Sequence, residues 1–365
     1  MADDFWRGRF KASYRFMRVD RRTGLETGRV GNITGGTITR NQDTSVYETA
    51  NIDYVGSLDM GTDLLRIYLD AESTNGNDSR TVALGTFLVS TPSIDIDGAK
   101  RSGTADLYGR LRELADDDFD TAYQVDAGEN AVAKAAAIAR AAGLTVVADP
   151  STYTLTAPWT FGVSGGSDSV SDKLSAINKL LDAAGFNAAY TDPMGRVIMS
   201  RYTAQGKRPL VWVFAEGDGC HVLPQATDEL DRLAISNVVH VDYTTQESSV
   251  RGTAVDDDPD SEWSTVSVGR RIVKSYSYSS LPEGTTESQA QALANAKALE
   301  LLKSARSILR RVTFTTMYVP VNVGDAHGFE SSTLKINRRY AVRKIDISLK
   351  AGCPMKIESR NFGEV

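Results

Sequence analysis

The sequence contains little of the side-chain chemistry on which most enzymes depend. Its 365 residues include three histidines and two cysteines. The cysteines, Cys220 and Cys353, lie far apart and form no Cys-x-x-Cys pair, which excludes a zinc site built on cysteines. Two buried free thiols are favoured over one long-range disulfide bond. We therefore predict neither a metal site of this kind nor a cofactor.

Long apolar segments are also absent. The first ten residues, MADDFWRGRF, are acidic and then mixed, without the apolar core of a secretory signal. No run of 18 apolar residues occurs that could span a bilayer. We expect a chain that is made and folded in a cytoplasm and does not insert into a membrane.

The charge balance has no basic excess. Lys and Arg number 41 against 47 Asp and Glu, for a net charge of −6. A general nucleic-acid binder is normally basic, so this balance argues against one. It suits a surface that DNA passes without specific binding. The hydrophobic fraction of 41% is ordinary for a globular protein, and the length allows two or three domains.

Residues 1–120 have the pattern of β-strands. Phe10, Ala12, Tyr14 and Phe16 alternate with polar residues, which is the period of a half-buried strand. Several further segments of this kind, among them 81–96, are separated by turn residues. Strands at this spacing predict a small β-barrel or a sandwich.

The segment 121–205 differs in kind, because it predicts two helices. An alanine-rich helix over 130–142 ends at Gly143, and a second over 174–184, with a capping box at Ser169 and Asp172, ends at Gly185. Each helix is followed by a short strand and then by Asp-Pro. The repeated Ala-Ala-Gly…Asp-Pro unit predicts one small α+β domain.

Strand patterns return over 206–365, with one helix over 286–306. A capping box at Thr286 and Gln289 marks the start of that helix. The apolar segment 211–214 predicts a strand. Over 342–349, Ile345, Ile347 and Leu349 alternate with Lys344, Asp346 and Ser348, which predicts an amphipathic closing strand. The order is therefore β, then α+β, then β with one helix, which is a mainly β fold class with an α+β insertion.

Candidate sites are few. The acidic run Asp256, Asp257 and Asp258 is a weak cation candidate, but it lacks the ligand spacing and turn glycine of an EF-hand loop, so a solvated charge run is favoured. His221 adjoins Cys220, yet neighbouring side chains point in different directions, which disfavours a thiol-protease pair. No catalytic residue is predicted.

Tryptophan offers a second kind of site, because its ring can stack on a sugar or a cation. Trp212 lies between two valines and is expected in the core. Trp263, beside the acidic run, and Trp159 are therefore the weak carbohydrate-contact candidates.

An ordered series of short motifs resembles the baseplate-hub or tail-tip family of tailed phages and is similar to the N-terminal part of tail-associated lysins. The motifs are Gly85–Pro92, Gly103–Leu114, the two Ala-Ala-Gly units, Leu155–Phe161, Val319–Asp325, interpreted as a strand, and Val342–Leu349. The resemblance implies two barrels related to the tail-tube fold on either side of the α+β domain. It also implies that three copies form a pseudo-sixfold ring, which adapts a sixfold tube to a threefold tip.

The resemblance further implies the partners and the location. A homotrimer in the virion tail would meet a distal-tail or tail-tube protein, a tape-measure protein, and a tip or fibre protein, and DNA would pass through it. Many relatives continue into a cell-wall-degrading region, whereas this sequence stops at Val365. We therefore expect no enzyme. A tail-associated cell-wall hydrolase and a receptor- or carbohydrate-binding tail protein stay open as alternatives.

Overall fold

The computed structural model of the protein describes residues 4–162, 170–216, 222–230, 236–244, 249–278, 286–307 and 310–361. Most of its regular structure is β, which confirms the prediction of a mainly β chain with a few helices. The helices are α1 (Arg112–Ala115), α2 (Ala131–Ala141), α3 (Lys173–Ala183), α4 (Thr265–Val268) and α5 (Glu287–Ser307). None of the described helices is long and apolar enough to cross a membrane.

The strands fall into an N-terminal, a middle and a C-terminal set. The N-terminal set is β1 (Phe10–Val19), β2 (Glu26–Val30), β3 (Ile33–Asn41), β4 (Glu48–Val55), β5 (Leu64–Ser73), β6 (Ser79–Asp97) and β7 (Lys100–Gly109). The middle set is β8 (Tyr123–Val125), β9 (Val146–Ala148), β10 (Trp159–Phe161), β11 (Tyr190–Thr191) and β12 (Val197–Met199). The C-terminal set is β13 (Leu210–Ala215), β14 (Val222–Leu230), β15 (Val238–Thr244), β16 (Ser249–Val255), β17 (Val273–Tyr278), β18 (Arg310–Thr316), β19 (Ala326–Ser331), β20 (Ile336–Ser348) and β21 (Met355–Asn361).

Thirteen strands form one large sheet. Their order is β14-β18-β21-β20-β3-β4-β7-β6-β5-β1-β2, and β19 lies between β20 and β13. The N-terminal β3 pairs with the C-terminal β20, from Thr37 opposite Ser348 to Asn41 opposite Lys344. This pairing joins the two β regions edge to edge. The order of the described strands runs from β14 to β2 and does not close on itself. Two closed barrels are therefore not confirmed, and the domain boundaries at 120 and 205 remain a prediction.

One face of the large sheet carries the main hydrophobic core. Ile345 and Ile347 are buried there. Lys344 and Asp346, which alternate with them along β20, point to the other face, because successive side chains in a strand alternate. The core takes residues from both ends of the chain, including Ile38, Ile52, Leu65, Phe87, Phe314, Tyr340 and Ile357. Both β regions therefore share one core.

The middle segment forms a separate hydrophobic cluster around α2 and α3. The predicted glycine stops are present, since Gly143 and Gly185 have φ angles of 82° and 71°, which glycine adopts without steric cost. The strands after the two helices, β9 and β11, both pair with β12 in one sheet. Asp172 caps α3 by accepting a hydrogen bond from the backbone of Ser175 at 2.8 Å, while Ser169 of the predicted capping box lies outside the described residues.

A third cluster forms where α5 covers the sheet β16-β15-β17. The predicted capping box is present, because the backbone N–H of Thr286 donates to Gln289 Oε1 at 2.9 Å. Alanines at 290, 294 and 298 let α5 approach closely. A Cβ atom on Gly252 of β16 would lie 2.1 Å from the backbone carbon of Ala294, so only glycine fits beneath the helix.

Two sequence predictions about the C-terminal region were wrong. The segment Val319–Asp325 is a loop between β18 and β19, since Pro320 lacks an N–H group and Asp325 Oδ2 accepts from the backbone of Asn322 at 2.7 Å in a turn. The strand over 342–349 belongs to β20 and does not close the fold, because β21 follows and pairs with it.

Candidate functional site

The face of the large sheet opposite the core is polar and includes a charged concave region. This concavity has a volume of about 270 Å³ and is formed by β14, β18, β20 and β21. Its lining residues are Thr227, Glu229, Arg311, Thr313, Lys344, Asp346, Lys356 and Glu358. Three are cations and three are anions, so the region is highly charged and yet balanced.

The charges in the concavity are arranged in compensating pairs. Arg311 lies between Glu358, at 3.3 Å from Nε to Oε1, and Glu229, at 3.6 Å from Nη1 to Oε2. Lys344 Nζ lies 3.1 Å from Asp346 Oδ2. Such pairs on an exposed face contribute little to stability, but they leave less cationic charge to attract an anionic polymer.

The polar face continues across the junction into the N-terminal strands. Thr39 of β3 donates a hydrogen bond to Asp346 Oδ1 at 2.7 Å. Cross-strand pairs then carry the same face through β4, β7 and β6, and their side chains are mainly Thr, Ser and Asn with the carboxylates Asp53, Asp95 and Asp106. Eight adjacent strands, from β14 to β6, therefore present one polar surface.

Behind this surface, a buried ion pair lies where the two β regions meet. Arg40 of β3 donates from Nε to Glu48 Oε1 at 2.8 Å, and both side chains are almost fully buried. Arg40 also donates to the carbonyl of Leu84 at 2.5 Å and to the amide oxygen of Asn322 at 3.2 Å. Burial raises the pKa of Glu48, and the attraction of Arg40 opposes that rise. The guanidinium thus links N-terminal strands to the loop before β19.

The α+β unit contacts the sheet through the turn Asp192–Gly195, which is the second Asp-Pro of the repeat. Thr86 donates to the carbonyl of Pro193 at 2.9 Å, and Arg66 donates to the carbonyl of Met194 at 3.3 Å. Arg66 Nε also donates to Thr86 Oγ1 at 2.9 Å. An aromatic contact accompanies these hydrogen bonds, because Tyr47, just before β4, packs against the α+β cluster with its ring centroid 5.8 Å from that of Tyr190.

The predicted cation residues separate in the structure. Asp256 is buried and accepts hydrogen bonds from the hydroxyl of Ser261 at 2.7 Å and from the backbone of Asp258 at 3.4 Å. Asp257 and Asp258 are exposed. The part of the chain that the structure describes contains no group of three His, Cys, Asp or Glu side chains placed to hold a metal ion. The hydrogen bonds of Asp256 stabilise the loop after β16.

The two tryptophan candidates are half-buried and lie in different units. Trp159 meets the ring of Phe161 edge to face at 6.3 Å, and Lys179 Nζ lies 5.6 Å from its ring centroid. Trp263 follows the acidic run on the loop before α4. The structure does not bring the two side chains to one surface, whereas Trp212 is buried as expected.

Among the described residues, His327 and Ser359 form a hydroxyl–imidazole pair, 2.7 Å from Oγ to Nε2. Both side chains are fully buried among Phe214, Phe314 and Tyr340. Burial lowers the pKa of His327 to about 4, so the ring is a weak base that a substrate cannot reach. Cys220 and His221 lie outside the described residues, and Cys353 is a buried free thiol.

The amphipathic strand that carries Lys344 and Asp346 is visible in the sequence, but the site to which these residues belong is not. Lys344 and Asp346 alternate with Ile345 and Ile347, which marks an amphipathic strand. That they share a concavity with Arg311 and Glu229, more than 30 residues away, depends on the pairing of β18 with β21 and β14. A polar-out, apolar-in pattern in β18, β20 and β21 was the available signal.

The fold is shared with solved phage tail proteins. The tail protein from Neisseria meningitidis MC58 matches 96% of this chain over 97% of its own, with a TM-score of 0.68 and 12% identity. The 43 kDa tail protein of prophage MuSo2 from Shewanella oneidensis matches 96% of this chain over 98% of its own, with a TM-score of 0.66 and 11% identity. No protein-family model and no curated protein matches the sequence.

A chain of the Francisella PdpA–VgrG complex has a related fold. In the Francisella PdpA–VgrG complex, 59% of the matched chain aligns with 98% of this one, at a TM-score of 0.57 and 8% identity. At such identities the likeness establishes the fold. The resemblance to tail-tip and baseplate-type proteins is thus confirmed at the level of the fold.

Proposed function

We propose that this protein is a structural hub of a phage-type tail tip, three copies of which form a ring. The ring adapts the sixfold tail tube to the threefold tip and lets DNA pass. The shared fold with phage tail proteins supports a tail role. The hub role draws on the joined sheet, because β3 and β20 let one chain contribute two β regions to a single wall.

The observation that carries the proposal is the polar face that eight antiparallel strands share. Nucleic acid is held mainly by uncompensated Lys and Arg side chains, each of which displaces counterions from a phosphate. Here Arg311 and Lys344 have carboxylate partners, and Asp53 and Asp106 add negative charge on the N-terminal strands. A surface of this kind is wetted and does not retain DNA, as the wall of a passage requires.

The proposed partners follow from that role. A tail-tube or distal-tail protein meets one rim of the ring, a tip or fibre protein meets the other, and a tape-measure protein occupies the lumen before ejection. The matched chain of the PdpA–VgrG complex is part of a multi-protein complex, which supports a protein partner at one rim. The proposed location is the virion tail.

Imaging and mass measurement test the ring directly. Light scattering is expected to give the mass of three chains, and electron micrographs are expected to show threefold particles with a central hole. A protein that stays monomeric, both alone and with its tail partners, would contradict the proposal.

Fluorescence anisotropy with duplex DNA at about 50 mM salt, where electrostatic binding is strong, tests the polar face. The unmodified protein is expected to bind poorly. A triple variant, Glu229→Gln, Asp346→Asn and Glu358→Gln, is expected to bind measurably, because it frees the cations of the concavity. The matched control neutralises three exposed carboxylates elsewhere, at Asp116, Asp120 and Asp257, and is expected to bind poorly. Equal binding by both triple variants would remove the support that the paired charges provide.

A further inference from the structure

The unit of β15, β16, β17 and α5 is an insertion in the large sheet. It lies in the sequence between β14 and β18, which pair directly with each other. Its three strands form a separate sheet, and α5 covers one face of that sheet over its own hydrophobic cluster. Two antiparallel neighbours such as β14 and β18 need only a short turn between them, so the inserted unit is not required to complete the large sheet.

Helix α5 is placed towards the β16 side of this small sheet. Its backbone approaches β16 at Gly252, as the close contact with Ala294 shows. Gln291 of α5 also donates a hydrogen bond to the backbone carbonyl of Arg251 in β16 at 2.8 Å. The helix therefore packs on β16 and on the central β15, and β17 lies at its margin.

The outer edge of β17 is open in the part of the chain that the structure describes, because β17 pairs there with β15 alone. The carbonyl of Ile272 accepts a hydrogen bond from the N–H of Val238 in β15 at 3.2 Å. The backbone groups of successive residues in a strand point to opposite sides. The N–H and C=O groups of Val273, Ser275 and Ser277 therefore face outward, and such a row can pair with another strand.

Tyrosines stand beside this edge on the helix side of the sheet. Tyr276 and Tyr278 of β17 pack against the cluster under α5. Tyr278 lies opposite Tyr243 of β15, and the two rings are stacked with their centroids 5.2 Å apart. Both tyrosines of β17 are half-buried, so a strand added at the edge would cover more of their rings. Aromatic side chains pair well with β-branched or aromatic residues on a neighbouring strand.

Lys274 is the single charged residue of β17. Its Nζ lies 5.3 Å from the ring centroid of Tyr276, so the ammonium group is held on the helix side and does not shield the edge. Lys297 of α5 is already paired with Glu300 at 3.0 Å. The loop before β17 carries charges of both signs, at Asp257, Asp258, Asp260, Glu262, Arg270 and Arg271. Within the strand itself, an added carboxylate would therefore find its counter-charge at Lys274.

We propose that β17 binds an extended segment of another protein, which adds a fourth strand to the sheet β16-β15-β17. The backbone of that segment pairs with Val273, Ser275 and Ser277. Its side chains on the helix side are β-branched or aromatic beside the tyrosines, with Asp or Glu beside Lys274. The occupant is a peptide because the edge offers alternating backbone donors and acceptors, which an extended peptide satisfies in register. This binding goes beyond the ring put forward above and does not depend on it.

Selection from a displayed library of random peptides tests this binding. The peptides have about eight residues, enough to span β17, and the full-length protein is the immobilised target. The selected sequences are expected to alternate β-branched or aromatic residues with polar ones and to carry Asp or Glu at one fixed position. A fluorescently labelled synthetic peptide with the selected sequence then gives the dissociation constant by fluorescence anisotropy.

Ser277→Pro removes one outward N–H group from the edge. Proline is tolerated in an edge strand where the N–H faces solvent, so the melting temperature should stay close to that of the unmodified protein. The affinity for the peptide is expected to fall by about tenfold, because a donor of the new ladder is lost. The matched control, Ser277→Ala, keeps the N–H group and changes only a side chain on the face opposite α5, so its affinity should be unchanged.

Lys274→Glu provides an independent check at an exposed position. It is expected to weaken the acidic peptide by about fivefold, because an opposite-charge pair becomes a like-charge pair, and to bind a Lys-containing version of the peptide better than the acidic one. A library that gives no strand-like sequence, or equal binding by Ser277→Pro and Ser277→Ala, would show that β17 is not a binding edge. The ring is measured separately by light scattering, so either proposal can fail while the other stands.

Discussion

Arg40 and Glu48 form a buried ion pair, 2.8 Å from Nε to Oε1, at the junction of the N-terminal and C-terminal β regions. A second carboxylate oxygen, Glu48 Oε2, is buried without a hydrogen-bond partner among the described residues. The pair is therefore incompletely satisfied, and either charge alone would be costly in this position. We interpret it as a device that specifies how the two β regions join.

Replacement of one partner is expected to destabilise the protein strongly. Arg40→Met should lower the free energy of unfolding by about 3–5 kcal/mol, because the carboxylate of Glu48 then lacks its counter-charge. Urea denaturation at pH 7 measures the change. The matched control is Arg112→Met, which removes an exposed pair with Asp116 and should cost less than about 1 kcal/mol.

A double variant, Arg40→Met with Glu48→Leu, is expected to regain most of the loss, since no charge remains buried. If the double variant loses as much free energy of unfolding as the two single variants lose together, the two residues do not act as a pair.

The close approach of α5 to Gly252 predicts a position that accepts only glycine. Gly252→Ala should destabilise the unit of β15, β16, β17 and α5 by roughly 1–3 kcal/mol, because the added methyl group meets the backbone of Ala294. Faster hydrogen exchange in α5 would report this. Gly28→Ala is the control, since a Cβ there meets nothing within 4 Å. Unchanged protection in α5 would mean that the helix moves aside without cost.

The docking of the α+β unit depends on Thr86. Thr86→Val keeps the shape of the side chain but leaves Arg66 Nε and the carbonyl of Pro193 without a partner, at a cost of about 1–3 kcal/mol for each buried unpaired group. Faster hydrogen exchange and proteolysis over 190–196 are expected. The control is Thr49→Val on the polar face, which should change neither the hydrogen exchange nor the proteolysis of residues 190–196. Full protection in the Thr86 variant would show that other contacts hold the turn.

The buried histidine predicts a loss of stability in acid. The ring of His327 donates from Nδ1 to the carbonyl of Gly328 at 3.1 Å and accepts from Ser359 at Nε2, so it must be neutral. Its pKa is about 4 in the folded chain against about 6.5 when unfolded. Between these two pKa values the unfolded state therefore binds more protons than the folded state. As the pH is lowered from 6.5 to 4, this group reduces the free energy of unfolding by about 3 kcal/mol.

The measurement compares the slope of stability against pH for the unmodified protein and for His327→Phe, between pH 7 and pH 4. The variant leaves the hydroxyl of Ser359 without its acceptor, so it starts from a lower stability, but it should lose less on acidification. Identical slopes for the two proteins would assign the acid sensitivity to other groups.

Local patterns in the sequence account for much of the secondary structure. The glycine stops at 143 and 185, the capping box at Thr286 and the strand over 81–96 are all present, because caps, turns and side-chain alternation act over a few residues. The loop over 319–325 was misread as a strand. Its valines suit a strand, and the sequence does not show that Asn322 is needed to accept a hydrogen bond from Arg40, 282 residues away.

The candidate sites show the same division. The acidic run at 256–258 was visible in the sequence, but the burial of Asp256 was not. Glu48, Arg66, Thr86 and His327 carry no local signal, since their roles come from partners in distant segments. The charged concavity has members on four strands, and only their pairing brings those members together.

The sequence by itself determined the class of the chain: mainly β, with two glycine-terminated helices in the middle, few histidines and a balanced charge. The tertiary structure decided that the two β regions share one sheet and one core through β3 and β20. It also decided that eight strands present a single polar face. The reason is physical, because periodicity and capping are properties of neighbouring residues, whereas strand pairing across hundreds of residues depends on which edges and apolar faces remain to be covered once the chain has collapsed.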